Sequence, residues 1–118
     1  MLYTNLKHIE SAAEHAQIIS VNEQVVIIYG RMSPMCVPVY RIAEELETVY
    51  THVKFYDMEF DNPESDVIRS LTDVQGYMSI PYIIWYKNGK VVRATSAIQT
   101  KDQMIAILDQ EYSVTLNA

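Results

Sequence analysis

The 118-residue sequence predicts an α/β fold, a three-layer α/β/α sandwich whose central sheet is mixed and ends in a β-hairpin followed by a helix. Three observations carry this. Val25 to Tyr29 is an uninterrupted apolar and mostly β-branched run, the pattern of a strand covered on both faces. The stretch from Met35 to Tyr50 repeats apolar residues near every 3.6 positions, as a helix packed on a sheet does. Asn88-Gly89 joins two β-rich runs, and both residues accept the positive φ of a type I′ hairpin turn.

The elements follow in order. Asn5 is placed to cap a first helix, with Leu6, Ile9, Ala13 and Ala16 on its apolar side and a loose continuation to Ile19. A polar break at Asn22 to Gln24 precedes the Val25–Tyr29 strand. In the next helix Met35, Val39, Ile42, Ala43, Leu46 and Val49 face inward, and Arg41, Glu44, Glu45 and Glu47 face water. Residues 53–60, VKFYDMEF, read as a second strand, and Asp61-Asn62-Pro63 ends it. A weakly patterned helix is expected from Glu64 to Thr72. The hairpin then spans residues 79–94, and Thr100 with Gln103 forms a capping box for a last helix lined by Met104, Ile105, Ile107, Leu108 and Tyr112. Residues beyond Ser113 read as a loose tail. Strands joined through helices run parallel and the hairpin adds antiparallel strands, hence the mixed sheet.

Composition narrows the function. A chain this long with 49% apolar residues forms one domain, residues 1–118, with a core over about 5–112. The net charge of −6 and the scattered Lys and Arg leave no basic stripe for nucleic acid or an anionic membrane. No apolar run approaches the roughly 20 residues that span a bilayer, and the charged first twenty residues lack a signal-peptide core. A cytoplasmic protein with a reduced thiol is expected, because a single cysteine cannot form an internal disulfide. His8, His15 and His52 do not cluster with Cys36. Two of them fall on the expected first helix, and they read as surface residues, so no metal site is expected. No cofactor is implied, and the oligomeric state is open.

Cys36 lies where the buried strand passes into the following helix, within YGRMSPMCVPV (29–39). With "SIPYIIWYKNGKVV" downstream, "FDNPE" (60–64) and the capped final helix, this order of landmarks resembles the thioredoxin family over roughly residues 5 to 112. The turn resembles the family's two-cysteine motif in either of two registers. In one, Ser33-Pro34-Met35-Cys36 takes its place, a serine stands at the nucleophile, and the turn and helix resemble a glutaredoxin's almost without gaps. In the other, Cys36-Val37-Pro38-Val39 takes its place and Cys36 is the nucleophile. Ser33 and Pro34 make a good cap and first-turn pair. A helix begun at Pro34, however, puts Pro38 in its interior at a cost of about 3 kcal/mol, which a start at Cys36 avoids.

Release of a substrate disulfide by a dithiol enzyme needs a second thiol. With one thiol the chain is no conventional dithiol reductase and at most a monothiol oxidoreductase. Cys36 forms a mixed disulfide with glutathione or a partner protein, or else it is a small buried residue under the helix start. The resemblance implies a cis bond at Ile80-Pro81 facing Cys36, with Ile80, Pro81, Met35 and Pro34 around a partner groove. Met32, Met35 and Met78 are candidates for an apolar surface there. The family's buried acid and tryptophan are missing. Asp57 is a candidate modulator of the thiol if it is partly buried near Cys36, where its charge opposes the thiolate; otherwise it is an edge-exposed acid. Two functions result: single-thiol redox exchange through Cys36, or a non-catalytic interaction module using the groove beside Pro81.

Overall fold

The computed structural model describes residues 2–112. It runs β1 (Lys7–Ile9), α1 (Ala12–Val21), β2 (Gln24–Gly30), α2 (Val37–Val49), β3 (Lys54–Glu59), α3 (Asp66–Arg69), β4 (Tyr82–Lys87), β5 (Lys90–Ser96) and α4 (Lys101–Glu111). Single 3-10 turns occupy Pro63–Ser65 and Thr72–Val74. The sheet order is β1-β3-β2-β4-β5; β1, β3 and β2 are mutually parallel, while β4 and β5 run antiparallel. The expected tail after Ser113 lies outside the described residues.

Every residue of β2 is buried, as its apolar run requires for a strand with partners on both edges and layers on both faces. Its even-numbered side chains, Val26 and Ile28, pack with Val39, Ala43 and Leu46 of α2 and with Met104 and Leu108 of α4. Its odd-numbered ones, Val25, Ile27 and Tyr29, pack with Met58 and Ile68 and with Ile18 and Ile19 of α1. Each fully buried Val or Ile adds roughly 1.5–3 kcal/mol relative to exposure, so these two faces hold the three layers together. At the far end Asn88 (φ 53°) and Gly89 (φ 78°) form a two-residue turn between Lys87 and Lys90. The Thr100–Gln103 capping box is formed in both directions.

The N-terminal region departs from the sequence reading. Asn5 caps no helix. Residues 7–9 form the edge strand β1, so the sheet has five strands where the sequence suggested four. The first helix is capped by Ser11, whose hydroxyl accepts from the Glu14 amide. Ala13 and Ala16 are exposed, and the inner side carries His15 instead. His8 and His15 therefore share no helix face, and His15 is a buried residue, not a surface one. Its Nε2 lies 3.0 Å from the Tyr86 hydroxyl, and burial lowers its pKa. In α2, Met35 and Val49 also miss the inner face: Met35 precedes the helix, and Val49 is exposed. The expected helix at 64–72 is one short α-turn flanked by the two 3-10 turns.

Candidate functional site

β2 ends at Gly30, and the chain turns through Arg31–Met35 before α2 begins. Cys36 occupies the cap position, and Pro38 sits in the first turn of α2, where its missing N–H deprives the helix of nothing. Ser33 organises the turn. Its carbonyl accepts from the amides of Cys36 (3.1 Å) and Val37 (2.9 Å), and its hydroxyl lies 3.3 Å from the Cys36 amide. The helix start is thus the one that spares Pro38.

The Cys36 sulfur is free and fully buried. Gly30 is required beside it. A Cβ at that position would lie 2.8 Å from the Cys36 Sγ, 2.8 Å from the Tyr40 hydroxyl and 3.4 Å from Pro81 Cβ. Sulfur, tyrosine hydroxyl and proline therefore converge on one backbone position, although their residues come from α2 and from the loop before β4. The Tyr40 hydroxyl is buried and has no hydrogen-bond partner among the described residues. Burial, followed by the nearby Cys36 and Asp57, raises its pKa.

The Ile80–Pro81 peptide bond is cis. The Pro81 carbonyl accepts from the Ala97 amide at 3.0 Å, which ties the loop to the end of β5. Among the described residues, none hydrogen-bonds to the backbone N–H or C=O of Ile80. An open groove of about 400 Å³ is lined by Arg31, Ser33, Pro34, Met35, Met78, Ser79 and Ile80. The predicted groove residues Pro34, Met35 and Ile80 are thus brought together with Ser33, while Pro81 and Cys36, their chain neighbours, are buried and do not line it. At one end Arg31 binds Asp61 through two 2.8 Å bonds and stacks over Phe60. The guanidinium holds the Asp61 carboxyl below the usual carboxylate range.

Asp57 is fully buried, neither partly buried nor edge-exposed as the sequence reading allowed. Its two oxygens accept from the Thr4 hydroxyl and face the His8 Nδ1 at 2.5 Å. Burial raises its pKa, and the bonds from Thr4 and His8 pull the other way. Asp57 pairs in register with Ile28 of β2 and its charge reaches the Tyr40 hydroxyl, so it belongs to the α2 side of the sheet, as Cys36 does. Its direct polar partners are all N-terminal residues. Sequence reasoning missed this cluster and Tyr40. A signal existed for Tyr40, since positions 36 and 40 share a helix face. None existed for Thr4 and His8, whose pairing with Asp57 depends on β1 docking. His52 packs against Tyr50 on the far side. No group of three or more His, Cys, Asp or Glu among the described residues is arranged to hold a metal ion, and no described helix is long and apolar enough to cross a membrane.

No protein-family model and no curated protein matches the sequence. Solved structures do. Plasmodium falciparum thioredoxin aligns with a TM-score of 0.72 at 23% identity, covering 91% of this chain and 100% of that one. Chlamydomonas reinhardtii thioredoxin f2 gives 0.74 at 16% identity over 90% and 95%. Thioredoxin O2 of Arabidopsis thaliana gives 0.74 at 16% over 95% and 98%. At these identities the likeness shows the thioredoxin fold.

Proposed function

We propose that this thioredoxin-fold chain works in thiol–disulfide chemistry as a one-thiol protein: the groove seats an extended segment of a partner, and Cys36 joins it as a mixed disulfide. The observation that carries this reading is the convergence of the Cys36 sulfur and Pro81 on Gly30, each next in the chain to a groove residue, Met35 and Ile80. The unengaged backbone groups of Ile80 offer an extended segment hydrogen bonds of the strand-addition kind. The Cys36 thiolate attacks one sulfur of a protein disulfide or of glutathione disulfide. The old S–S bond breaks, a Cys36–S–S bond forms, and the second sulfur leaves as a thiolate that takes up the released proton. A further glutathione then frees Cys36 by the same exchange. A reducing compartment such as the cytoplasm suits a chain with one free thiol, and neither nucleic acid nor membrane is among the partners we propose.

The turn gates the sulfur. Exchange requires the Ser33–Cys36 turn to open, and its three hydrogen bonds at about 0.5–1.5 kcal/mol each make that opening cost a few kcal/mol. The full burial of Cys36 favours a second reading, a binding module whose groove acts without chemistry.

Alkylation of Cys36 by iodoacetamide across pH 6–9, with mass spectrometry after incubation with glutathione disulfide, separates the two. One glutathione on the folded chain is expected for the redox protein. A folded chain that gains none, while the urea-unfolded chain does, leaves the binding module. Repeating the titration on Asp57→Asn tests whether the buried carboxylate opposes the thiolate. An unchanged profile removes Asp57 from the site.

A further inference from the structure

Among the described residues, the sulfur-bearing side chains shown to solvent are methionines, and two of the three line the groove. Met32, Met35 and Met78 are 37%, 39% and 95% exposed, whereas Met58, Met104 and the Cys36 thiol are fully buried. Met35 and Met78 come from two separate segments, the turn before α2 and the loop before β4, and line the groove with Pro34 and Ile80. Met32 is set apart. Its sulfur accepts the Tyr3 amide at 3.3 Å, and its side chain does not line the groove. An oxidant arriving at this face meets two flexible, unengaged thioethers before it meets the thiol.

We propose that Met35 and Met78 are a modification site for hydroperoxides, and that their oxidation switches the groove from an apolar seat to a polar one. This rests on the groove being the partner seat. Each thioether sulfur attacks the outer oxygen of the peroxide. The O–O bond breaks, sulfur is oxidised by two electrons to the sulfoxide, and the other oxygen leaves as water or an alcohol with the proton. A thiol-dependent methionine sulfoxide reductase returns the thioether, with two thiols oxidised to a disulfide. The consequence is a change of surface chemistry. A thioether packs against an apolar side chain without cost, but a sulfoxide oxygen placed against Pro34 or Ile80 loses water and gains no donor. The buried thiol is spared, so the groove responds to peroxide while Cys36 stays reduced.

The test titrates the folded full-length chain with hydrogen peroxide, maps each added oxygen by peptide mass spectrometry, and follows 8-anilinonaphthalene-1-sulfonate as a probe of apolar surface. Met35 and Met78 are expected to gain one oxygen each at doses that leave Met58, Met104 and Cys36 unmodified. Dye affinity falls about tenfold, the loss of roughly one buried thioether contact. The Met35→Leu/Met78→Leu variant binds the dye and loses the peroxide response. Cys36 oxidised at or below the dose that modifies Met78 overturns the proposal. Sulfoxides that leave dye affinity unchanged do so as well, as does a double variant that still responds. Dye that fails to bind the reduced wild type overturns the groove reading and this proposal together.

Discussion

Gly30→Ala is the sharpest probe of the packing beside Cys36. The added methyl lies 2.8 Å from both the Cys36 Sγ and the Tyr40 hydroxyl, and both side chains are fully buried. Ordinary heavy-atom contact is about 3.5–4.0 Å, so the methyl is roughly 0.7 Å too close on two sides. Neither neighbour has solvent to retreat into. Overpacking a filled core costs about 1–3 kcal/mol, and two simultaneous overlaps put this substitution near the top of that range. At roughly 4 °C per kcal/mol for a domain of this size, the melting temperature falls about 10 °C. Tyr40→Phe supplies the control. Its hydroxyl is buried with no partner among the described residues, and removing such a group is neutral or stabilising by about 1 kcal/mol. In the Gly30→Ala background it also removes one overlap, so the pair shows a favourable coupling of about 1 kcal/mol in a double-mutant cycle from urea unfolding. A Gly30→Ala chain within about 0.5 kcal/mol of wild type, the range of an innocuous surface change, refutes the close packing. Strictly additive substitutions refute the position of the hydroxyl.

Asp57→Ala strips an acceptor from the Thr4 hydroxyl and the His8 ring, and urea unfolding is expected to show a loss of about 2–4 kcal/mol. Because burial raises the Asp57 pKa above 3.8, the folded chain holds that proton more tightly, and its contribution is full at low pH and lost as pH rises through the folded value. The stability advantage of wild type over Asp57→Asn therefore shrinks from about pH 4 towards 7; an advantage that grows over this range contradicts the burial. His15 has the opposite sign: its pKa is lowered below 6.5, so its contribution is present above that value and lost as pH falls through the folded one. His15→Gln is expected to flatten the fall in melting temperature between pH 7.5 and 5. Gly89→Ala, at φ 78°, costs about 1–2 kcal/mol by chemical denaturation, and a neutral result contradicts the type I′ turn. Ser33→Gly removes the hydroxyl and relaxes the turn, so alkylation of native Cys36 speeds up if the turn gates the sulfur.

Much of this was legible where local chemistry and burial agree. The run Val25–Tyr29, the Asn88-Gly89 pair and the Thr100–Gln103 box each specify an element by themselves, and each formed as read. The first twenty residues were misread because Leu6 and Ile9 fit a helical spacing, although Ile9 ends a short strand and Leu6 precedes it. Ser11-Ala12-Ala13-Glu14 carried the true helix start, a cap with an acid three residues on. A three-residue edge strand has no period of its own, and only its register with Tyr56, Asp57 and Met58 defines it. The candidate site divides the same way. The turn and the Ile80-Pro81 loop were visible as motifs. Asp57 was legible as a candidate modulator of the thiol, but its full burial and its Thr4 and His8 partners were not, because they depend on which segment covers it.

That covering segment closes over a strand distant from it in the chain. His8 and Asp57 are 49 residues apart, and Thr4 and Asp57 are 53 apart, so a chain emerging from the ribosome cannot close this side of the sheet until β3 has followed it out. Until then Leu6 and Ile9, both buried in the folded chain, lack their cover.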